Sequence, residues 1–412
     1  MDAERENSEA WLNEEMVGKL SEAKHEPDWL LQTRLNALRQ FEQLPMPQTN
    51  YGLHVNAMLT IDIEELRPLE TVTHHNSSSI NDVVIKDLSV AAAEYEDVLR
   101  PVMTNNDFRN KLDALHAAFW NSGILVYAPK QKHNEAATHL TLKFGQKQTE
   151  IAAIVVVAEE NANLAVTELL TATTATDGKA RRFEGVGIVA AQNATVKFVT
   201  LQKLSSNVNC IIVRKAVAET AAVVDWVDIT IGGGSVKQET TTALNGDGAS
   251  STITGAFFGD GNQQLDIIAQ ETHNARNTTS NIKIKGALQG RAKAIVQSFT
   301  KIAKAAANSA GHQKTSVLLL SDTARASPIP KLEIDNYDVK ASHEASVGQL
   351  DTEKLFYMMS RGIDGKEAMR LVVEGFFDPL LRQIPFKEIT EELRQTIAMK
   401  MEKAENVLAA VA

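Results

Sequence analysis

Residues 253–284 open with Ile253-Thr254-Gly255-Ala256-Phe257-Phe258, turn at Gly259-Asp260-Gly261-Asn262, and resume at Ile267-Ile268-Ala269. They break again around Asn274 to Ser280 and close on Ile282-Lys283-Ile284. Each apolar run has strand length, and each break is made of residues that favour turns. The pattern extends in both directions. N-terminal to it lie Ile124–Tyr127, Leu140–Phe144, Ile151–Val157, Val186–Ala190, Val196–Leu201, Ile211–Val213 and Val223–Ile231; C-terminal to it lies Val317–Leu320. No helical pattern of 10–15 residues separates the runs reliably, which argues against a doubly wound α/β sheet. A sandwich and a parallel β-solenoid remain. So many strands of similar length are hard to close into one sandwich, whereas stacked coils accept any number. The solenoid is therefore the expected centre. Arg291 to Ala307 has some helical character and stands apart from the pattern.

The flanks read differently. In residues 1–115, Leu31, Leu35, Leu38 and Phe41 share one helical face after Pro27, and Pro45 and Pro47 stop that helix. A second helix is expected over Asn106 to Trp120. Residues 47–89 are mixed. In residues 351–412, Asp351 can cap a helix that ends at Gly362, and Asp364 can cap the next, with Glu367 in capping-box spacing. A last helix is expected from about Pro385 onward. The layout is mostly β with helical ends: helices in 1–115, a β-solenoid in 116–350, helices in 351–412. Such terminal helices can close the open coil ends, as capping units do.

The chain has 412 residues, a formal net charge of −10 and only 5% aromatics, so aliphatic side chains must fill most of the core. An acidic surface without a basic stripe disfavours nucleic acid as a partner. The longest strongly apolar run, Ile151 to Ala158, is far short of a membrane helix. The acidic N-terminus lacks the apolar segment of a secretory signal, and the single cysteine, Cys210, can form no internal disulfide. A reduced cytoplasmic protein is expected.

Several fragments carry a resemblance. They include Glu26-Pro27-Asp28-Trp29-Leu30, Phe119-Trp120-Asn121-Ser122-Gly123 and Lys285-Gly286-Ala287-Leu288-Gln289-Gly290. The most specific lie later: Pro330-Lys331-Leu332-Glu333-Ile334, Ser342-His343-Glu344-Ala345-Ser346-Val347-Gly348 and Leu355-Phe356-Tyr357-Met358-Met359-Ser360-Arg361-Gly362. In this order and spacing they resemble the SufB/SufD family of the SUF iron–sulfur cluster assembly system. The resemblance implies a right-handed parallel β-helix between helical ends and a non-catalytic scaffold. It also implies pairing through the β-helix with a SufB-like subunit or with itself, and C-terminal helices that bind a SufC-like ABC ATPase. An iron–sulfur cluster would be held transiently and shared with a partner, and the nucleotide site would belong to the ATPase.

The resemblance also selects residues. His343 matches a histidine at the SufB-facing interface of SufD-like relatives, and Glu344 a glutamate implicated in SufB-like ones. Imidazole and carboxylate are competent iron ligands, but neighbours on a strand point to opposite faces and share an ion only at a bend or bulge. From chemistry alone a His-Glu dipeptide is more commonly a solvated pair. Thr315 occupies the position of the SufB scaffold cysteine. Its hydroxyl is neither a soft ligand nor a sulfur acceptor, so the chain is expected to be SufD-like and unable to build a cluster alone. Phe356, Tyr357, Arg361 and Phe376 are candidates for the ATPase-facing surface, with ordinary helix packing as the competing explanation, above all for Phe376.

Other residues read more plainly. Cys210 lies in a strand pattern and is expected to be a small buried hydrophobe. His273 with Asn277 could be a polar pair or turn chemistry. His74-His75 reads as an exposed loop, and His133 and His139 have no obvious partners. Gly232-Gly233-Gly234 and Gly246-Asp247-Gly248 open no helix and contain no GxxxxGK[ST], so they read as strand corners. Two other functions fit a solenoid: a carbohydrate-active β-helix enzyme, disfavoured by the missing export signal and carboxylate cluster, and a purely structural binding solenoid, which leaves the fragment matches unexplained.

Overall fold

Residues 235–244 alternate half-buried and buried at every step, with Val236, Gln238, Thr240, Thr242 and Leu244 turned inward. This period of two, repeated coil after coil, builds the centre of the molecule. In the computed structural model, the described residues are 12–46, 75–78, 83–104, 108–131, 138–144, 149–172, 180–382, 384 and 386–402. Strands are numbered in chain order. One nine-stranded sheet, A, runs β1 (His75–Ser78), β4 (Thr138–Phe144), β6 (Asn163–Ala172), β8 (Thr195–Lys203), β10 (Val223–Thr230), β12 (Ser250–Gly259), β14 (Thr279–Leu288), β16 (Ser309–Leu319) and β18 (Val339–Gln349). The second, B, runs β2 (Val84–Asp87), β3 (Ser122–Ala128), β5 (Thr149–Ala158), β7 (Ala180–Ala190), β9 (Val208–Ala218), β11 (Ser235–Leu244), β13 (Gln264–His273), β15 (Lys293–Ile302) and β17 (Arg325–Ile334).

From β3 onward, successive strands alternate between the sheets and pair in parallel with the coil before. This is the expected parallel β-solenoid. Only β1 on β4 and β2 on β3 are antiparallel, and they finish the two sheets at the N-terminal end. The helical character of 291–307 did not prevail: it contains β15, whose neighbours on both sides fix it in the sheet.

One corner of the coil repeats a left-handed residue: Asn161, Asn193, Ala221, Gly248, Asn277 and Asn308 all have φ between 56° and 75°. Each N–H donates to a carbonyl of the next coil, as from Asn193 to Thr220 O at 2.9 Å. Asparagine and glycine tolerate this conformation best, so the corners are written in the turn residues. Asn193 Nδ2 donates to Asn161 Oδ1 at 3.1 Å, and Asn308 Nδ2 to Asn277 Oδ1 at 2.7 Å.

Helices α1 (Glu14–Ala23), α2 (Asp28–Gln43), α3 (Leu88–Glu94), α4 (Glu96–Met103) and α5 (Lys111–Phe119) precede the coils. Pro27 sits at the N-cap of α2, one residue before the expected first turn. The helix expected over 106–120 begins only at Lys111, capped by Asn110. These helices pack on the outer face of sheet B, over Leu125, Ile151, Val155, Phe183 and Ile211. Helices α6 (Thr352–Ser360), α7 (Gly365–Leu381) and α8 (Lys387–Glu402) follow the coils and pack on the outer face of sheet A. They bury Val199, Leu201, Val227, Ile229, Ala256 and Phe258. Pro379 does not end α7, which runs on to Leu381, and Glu367 pairs with Arg370 at 2.5 Å rather than completing a capping box.

The terminal helices therefore lie along the flanks, and the expectation that they close the coil ends is corrected at the C-terminal end. The reason is apolar area. The outer faces of β8, β10 and β12 carry apolar residues that only a helix layer removes from water. The last coil, β17 and β18, is left uncovered, with almost every residue exposed or half-buried.

Candidate functional site

The uncovered coil is where the leading site residues fall. β18 pairs with β16 in an unbroken parallel register from Ser309↔Val339 to Leu319↔Gln349. In β16, Ser309, Gly311, Gln313, Thr315 and Val317 are buried inward. Their partners Val339, Ala341, His343, Ala345 and Val347 therefore stack over the solenoid interior, as an exposed last layer. The alternate residues face outward and zip the strands together. His312 Nδ1 lies 2.8 Å from Ser342 Oγ, Lys314 Nζ donates to Glu344 Oε2 at 2.9 Å, and Ser346 Oγ donates to Ser316 Oγ at 3.0 Å.

His343 and Glu344 thus point to opposite faces of a regular strand, with no bulge to bring them to one ion. Glu344 is an outer rung paired with Lys314. His343 looks over the interior, directly above Gln313. Thr315 is on that same inner face, one coil below and two residues along, beneath Ala345. It is buried, and its hydroxyl lies 3.1 Å from that of Ser298. The fold brings His343 near Thr315 and takes Glu344 away from both.

Gln313, between them, donates from Nε2 to Thr300 Oγ1 at 2.7 Å and to Lys331 O at 2.9 Å, while its Oε1 meets no partner. An imidazole, an amide oxygen and a hydroxyl contain no thiolate. They do not suit a cluster on their own, because cluster iron is held chiefly by thiolates. Among the described residues, no group of three or more His, Cys, Asp or Glu side chains is placed to hold a metal ion.

The second candidate surface is α6. Asp351 caps it, accepting from Lys354 N at 3.1 Å, and Leu355 anchors it in the helical core. Phe356 and Tyr357 are 66% and 59% exposed, and the Arg361 guanidinium lies 5.2 Å from the Tyr357 ring centre. Gly362, at φ +88°, ends the turn in a conformation a side chain would strain. Phe376 is different. It is half-buried on α7, edge-on to Phe377 at 5.2 Å, with the Lys285 ammonium 4.8 Å from its ring. The fold exposes three of the four candidates together and packs the fourth onto sheet A.

The remaining residues resolve simply. Cys210 is fully buried on the inner face of β9, and burial pushes its thiol well above the ordinary range. His273 does not pair with Asn277. Its Nδ1 and Nε2 lie 2.7 Å and 2.8 Å from the hydroxyls of Thr278 and Ser280 inside the solenoid, and burial lowers its pKa to about 4. Asn277 is one of the exposed corner residues. Both glycine groups lie at strand corners, as expected. His74 and His133 lie outside the described residues, and of His75 and His139 only the strand backbone is described.

Sequence reasoning missed an ionic cluster inside the N-terminal coils. Arg182 bonds Glu150 and, at 2.7 Å, Glu184; Arg214 reaches Asp228 at 3.0 Å, Glu184 at 3.3 Å and Glu168 at 3.4 Å. All six are buried. Glu168 Oε1 has no partner, and burial, then the charge of Glu184, raises the Glu168 pKa to about 8. The available signal was parity: Arg182 and Glu184 sit two apart, at positions where a strand turns inward.

Fold and site together define a class: a parallel β-solenoid with helices on both flanks and one coil end left open, carrying a histidine over its interior. The family model for the SufBD core domain of SUF-system iron–sulfur cluster assembly matches residues 141–376. The chain belongs to this family and is SufD-like within it. It is 29% identical to the iron–sulfur cluster assembly protein SufD of Bacillus subtilis, over 95% of this chain and 98% of that protein. It is 27% identical to SufB of the same organism, over 96% of this chain and 94% of that protein. A SufBD family protein of Staphylococcus saprophyticus is 26% identical with the same coverage.

Proposed function

We propose that the chain is a scaffold subunit of iron–sulfur cluster assembly that works beside a thiolate-bearing partner. Membership of the SufBD family supports the role in cluster assembly. The observation that carries the finer reading is the open coil end, with His343 on its inner face and Thr315 where a scaffold cysteine would stand. In this reading the open end pairs with a SufB-like subunit or with a second copy. His343 then offers one nitrogen ligand to a cluster whose thiolates come from the partner, and the cluster is a transient cargo. Glu344 serves the strand through Lys314 and takes no direct part.

The exposed Phe356, Tyr357 and Arg361 surface is proposed to receive a SufC-like ABC ATPase. Aromatic and arginine side chains are typical anchors of such contacts. Phe376 supports this surface from beneath. No helix among the described residues is long and apolar enough to cross a membrane, and a cytoplasmic place of work is part of the proposal.

The test is size-exclusion chromatography with light scattering on the chain co-expressed with the SufC-like ATPase of its own source. A stable complex, weakened at least tenfold by Tyr357→Ala with Arg361→Ala, is expected. No complex with a folded ATPase, with or without a SufB-like subunit, removes this part of the reading. A cluster reconstituted stoichiometrically on the isolated chain would contradict the need for a partner thiolate.

A further inference from the structure

The layer beneath the open end holds a polar atom that the solenoid leaves unsatisfied. Gln313 is only 3% exposed, on the inner face of β16, and its amide is fixed from the nitrogen side. Nε2 uses both hydrogens, one on Thr300 Oγ1 at 2.7 Å and one on Lys331 O at 2.9 Å. A peptide carbonyl can only accept, so the nitrogen must face Lys331 and the amide has one orientation. Oε1 is then buried without a partner. A buried acceptor left in that state costs about 1–3 kcal/mol, so it marks a place where a donor belongs.

In the coil above, one neighbouring side chain can supply it. His343 stacks directly on Gln313 in the register of β18 on β16, and adjacent strands lie about 4.8 Å apart. Its inner-face neighbours on β18 are Ala341 and Ala345. Across the interior, Pro330 and Leu332 of β17 stack on the buried Ser298 and Thr300. None of these four side chains, Ala341, Ala345, Pro330 and Leu332, carries an N–H or O–H. In the chain by itself the bond is open, with His343 exposed at the bare end and Oε1 unpaired below it.

We infer that Gln313 is a positioning residue for His343: its Oε1 accepts the Nδ1–H of the inward-turned ring and leaves the Nε2 lone pair for the cargo. The inference rests on the ligand reading above and adds what sets the state of that ligand. A neutral imidazole has one N–H and one lone pair, and the partner of the N–H decides which nitrogen keeps the lone pair. An amide oxygen suits this task because it accepts and never donates. Nδ1 is the nitrogen nearer the strand, within reach of a side chain one coil below. Nε2 lies at the tip of the ring and projects farther, towards a partner. Thr315 is less suited to the role, because its hydroxyl already lies 3.1 Å from that of Ser298. Covering the open end removes the water that competes for the ring N–H, which strengthens the bond.

The experiment reads the tautomer of His343 by solid-state nitrogen NMR with labelled histidine, on the full chain in its paired assembly and at a pH where free imidazole is neutral. His343→Asn assigns the signal. The unsubstituted chain is expected to hold the Nδ1–H tautomer, a readout that needs no variant. Gln313→Leu is expected to return His343 to the tautomer mixture of a histidine peptide, and to weaken binding of ferrous iron by the assembly about tenfold. Thr300→Val removes one partner of Gln313 Nε2 but keeps Oε1. It is expected to leave the tautomer unchanged and the iron affinity within about threefold, with circular dichroism and melting temperature verifying the fold of each variant. An Nε2–H tautomer in the unsubstituted chain, or a tautomer indifferent to Gln313→Leu, overturns the positioning role and leaves His343 standing as a ligand. Equal effects of Gln313→Leu and Thr300→Val overturn it as well, reducing Gln313 to packing. Iron binding unchanged by His343→Asn overturns the ligand reading itself.

Discussion

The two ends of the solenoid are made of the same repeating coil, yet they are finished in opposite ways. At the N-terminal end, antiparallel β2 lies on β3, and Val83, beside it, is only 7% exposed against the inner core. Arg34 closes the seam from the α2 side. It bonds Glu26 through two nitrogens at 2.7 Å, donates to Ala118 O and Trp120 O, and lies 3.9 Å from the Trp120 ring centre. At the C-terminal end no such device exists among the described residues, and Val347 is 43% exposed. A coil needs a neighbour on each side to bury its stacked residues, so an end that natural folding leaves bare belongs to an assembly or invites one.

The largest effect expected from this contrast is at the sealed end. Arg34→Ala would strand the buried Glu26 carboxylate and free two carbonyls, at a cost of about 3–5 kcal/mol in chemical denaturation. A loss under about 1 kcal/mol would mean that the seal is not held by this residue. The interior sharpens the comparison through pH. Glu168, raised to about 8, keeps in the folded state a proton that the unfolded chain releases near pH 4.5, so its contribution to stability falls as pH rises through that window. Glu168→Gln should therefore stabilise the protein at pH 8, on the order of 2 kcal/mol, and leave it nearly unchanged near pH 4.5. A constant difference across the pH range would show that Glu168 is ionised throughout.

A smaller effect is expected midway along the corner column, where Ala221 alone among the asparagines and glycine holds a left-handed φ of 56°. Ala221→Asn should raise stability by about 1 kcal/mol, read as a higher melting temperature, because asparagine tolerates this conformation. The smallest effect is expected at the open end. Val347→Ala should change the stability of the dissociated chain by less than about 0.5 kcal/mol, since little of its side chain is removed from water. The same truncation at Val83 should cost about 1–2 kcal/mol, and similar losses at both sites in the dissociated chain would erase the distinction between the ends.

The strand runs, the turn residues between them and the caps at Asp351 and Asp364 are local signals, set by backbone preference and by alternation along a few residues. They were legible in the sequence, and so were the burial of Cys210 and the corner role of the glycine groups. Less legible was where the helices go. Their apolar faces were plain, but only the assembled sheets show which outer faces were apolar enough to take them, so flank packing replaced end capping. The interior ionic cluster was hidden because each charged residue looks ordinary in its own strand, and the partners of Arg214 lie 14, 30 and 46 positions away.

The sequence by itself determined the repeating coil, the helical flanks and the family, because each is encoded in short-range pattern or in motifs read in order. Tertiary structure alone decided that His343 and Glu344 face apart and that Thr315 lies beneath the histidine's layer. Those facts depend on register between coils about 30 residues apart, which no local preference fixes.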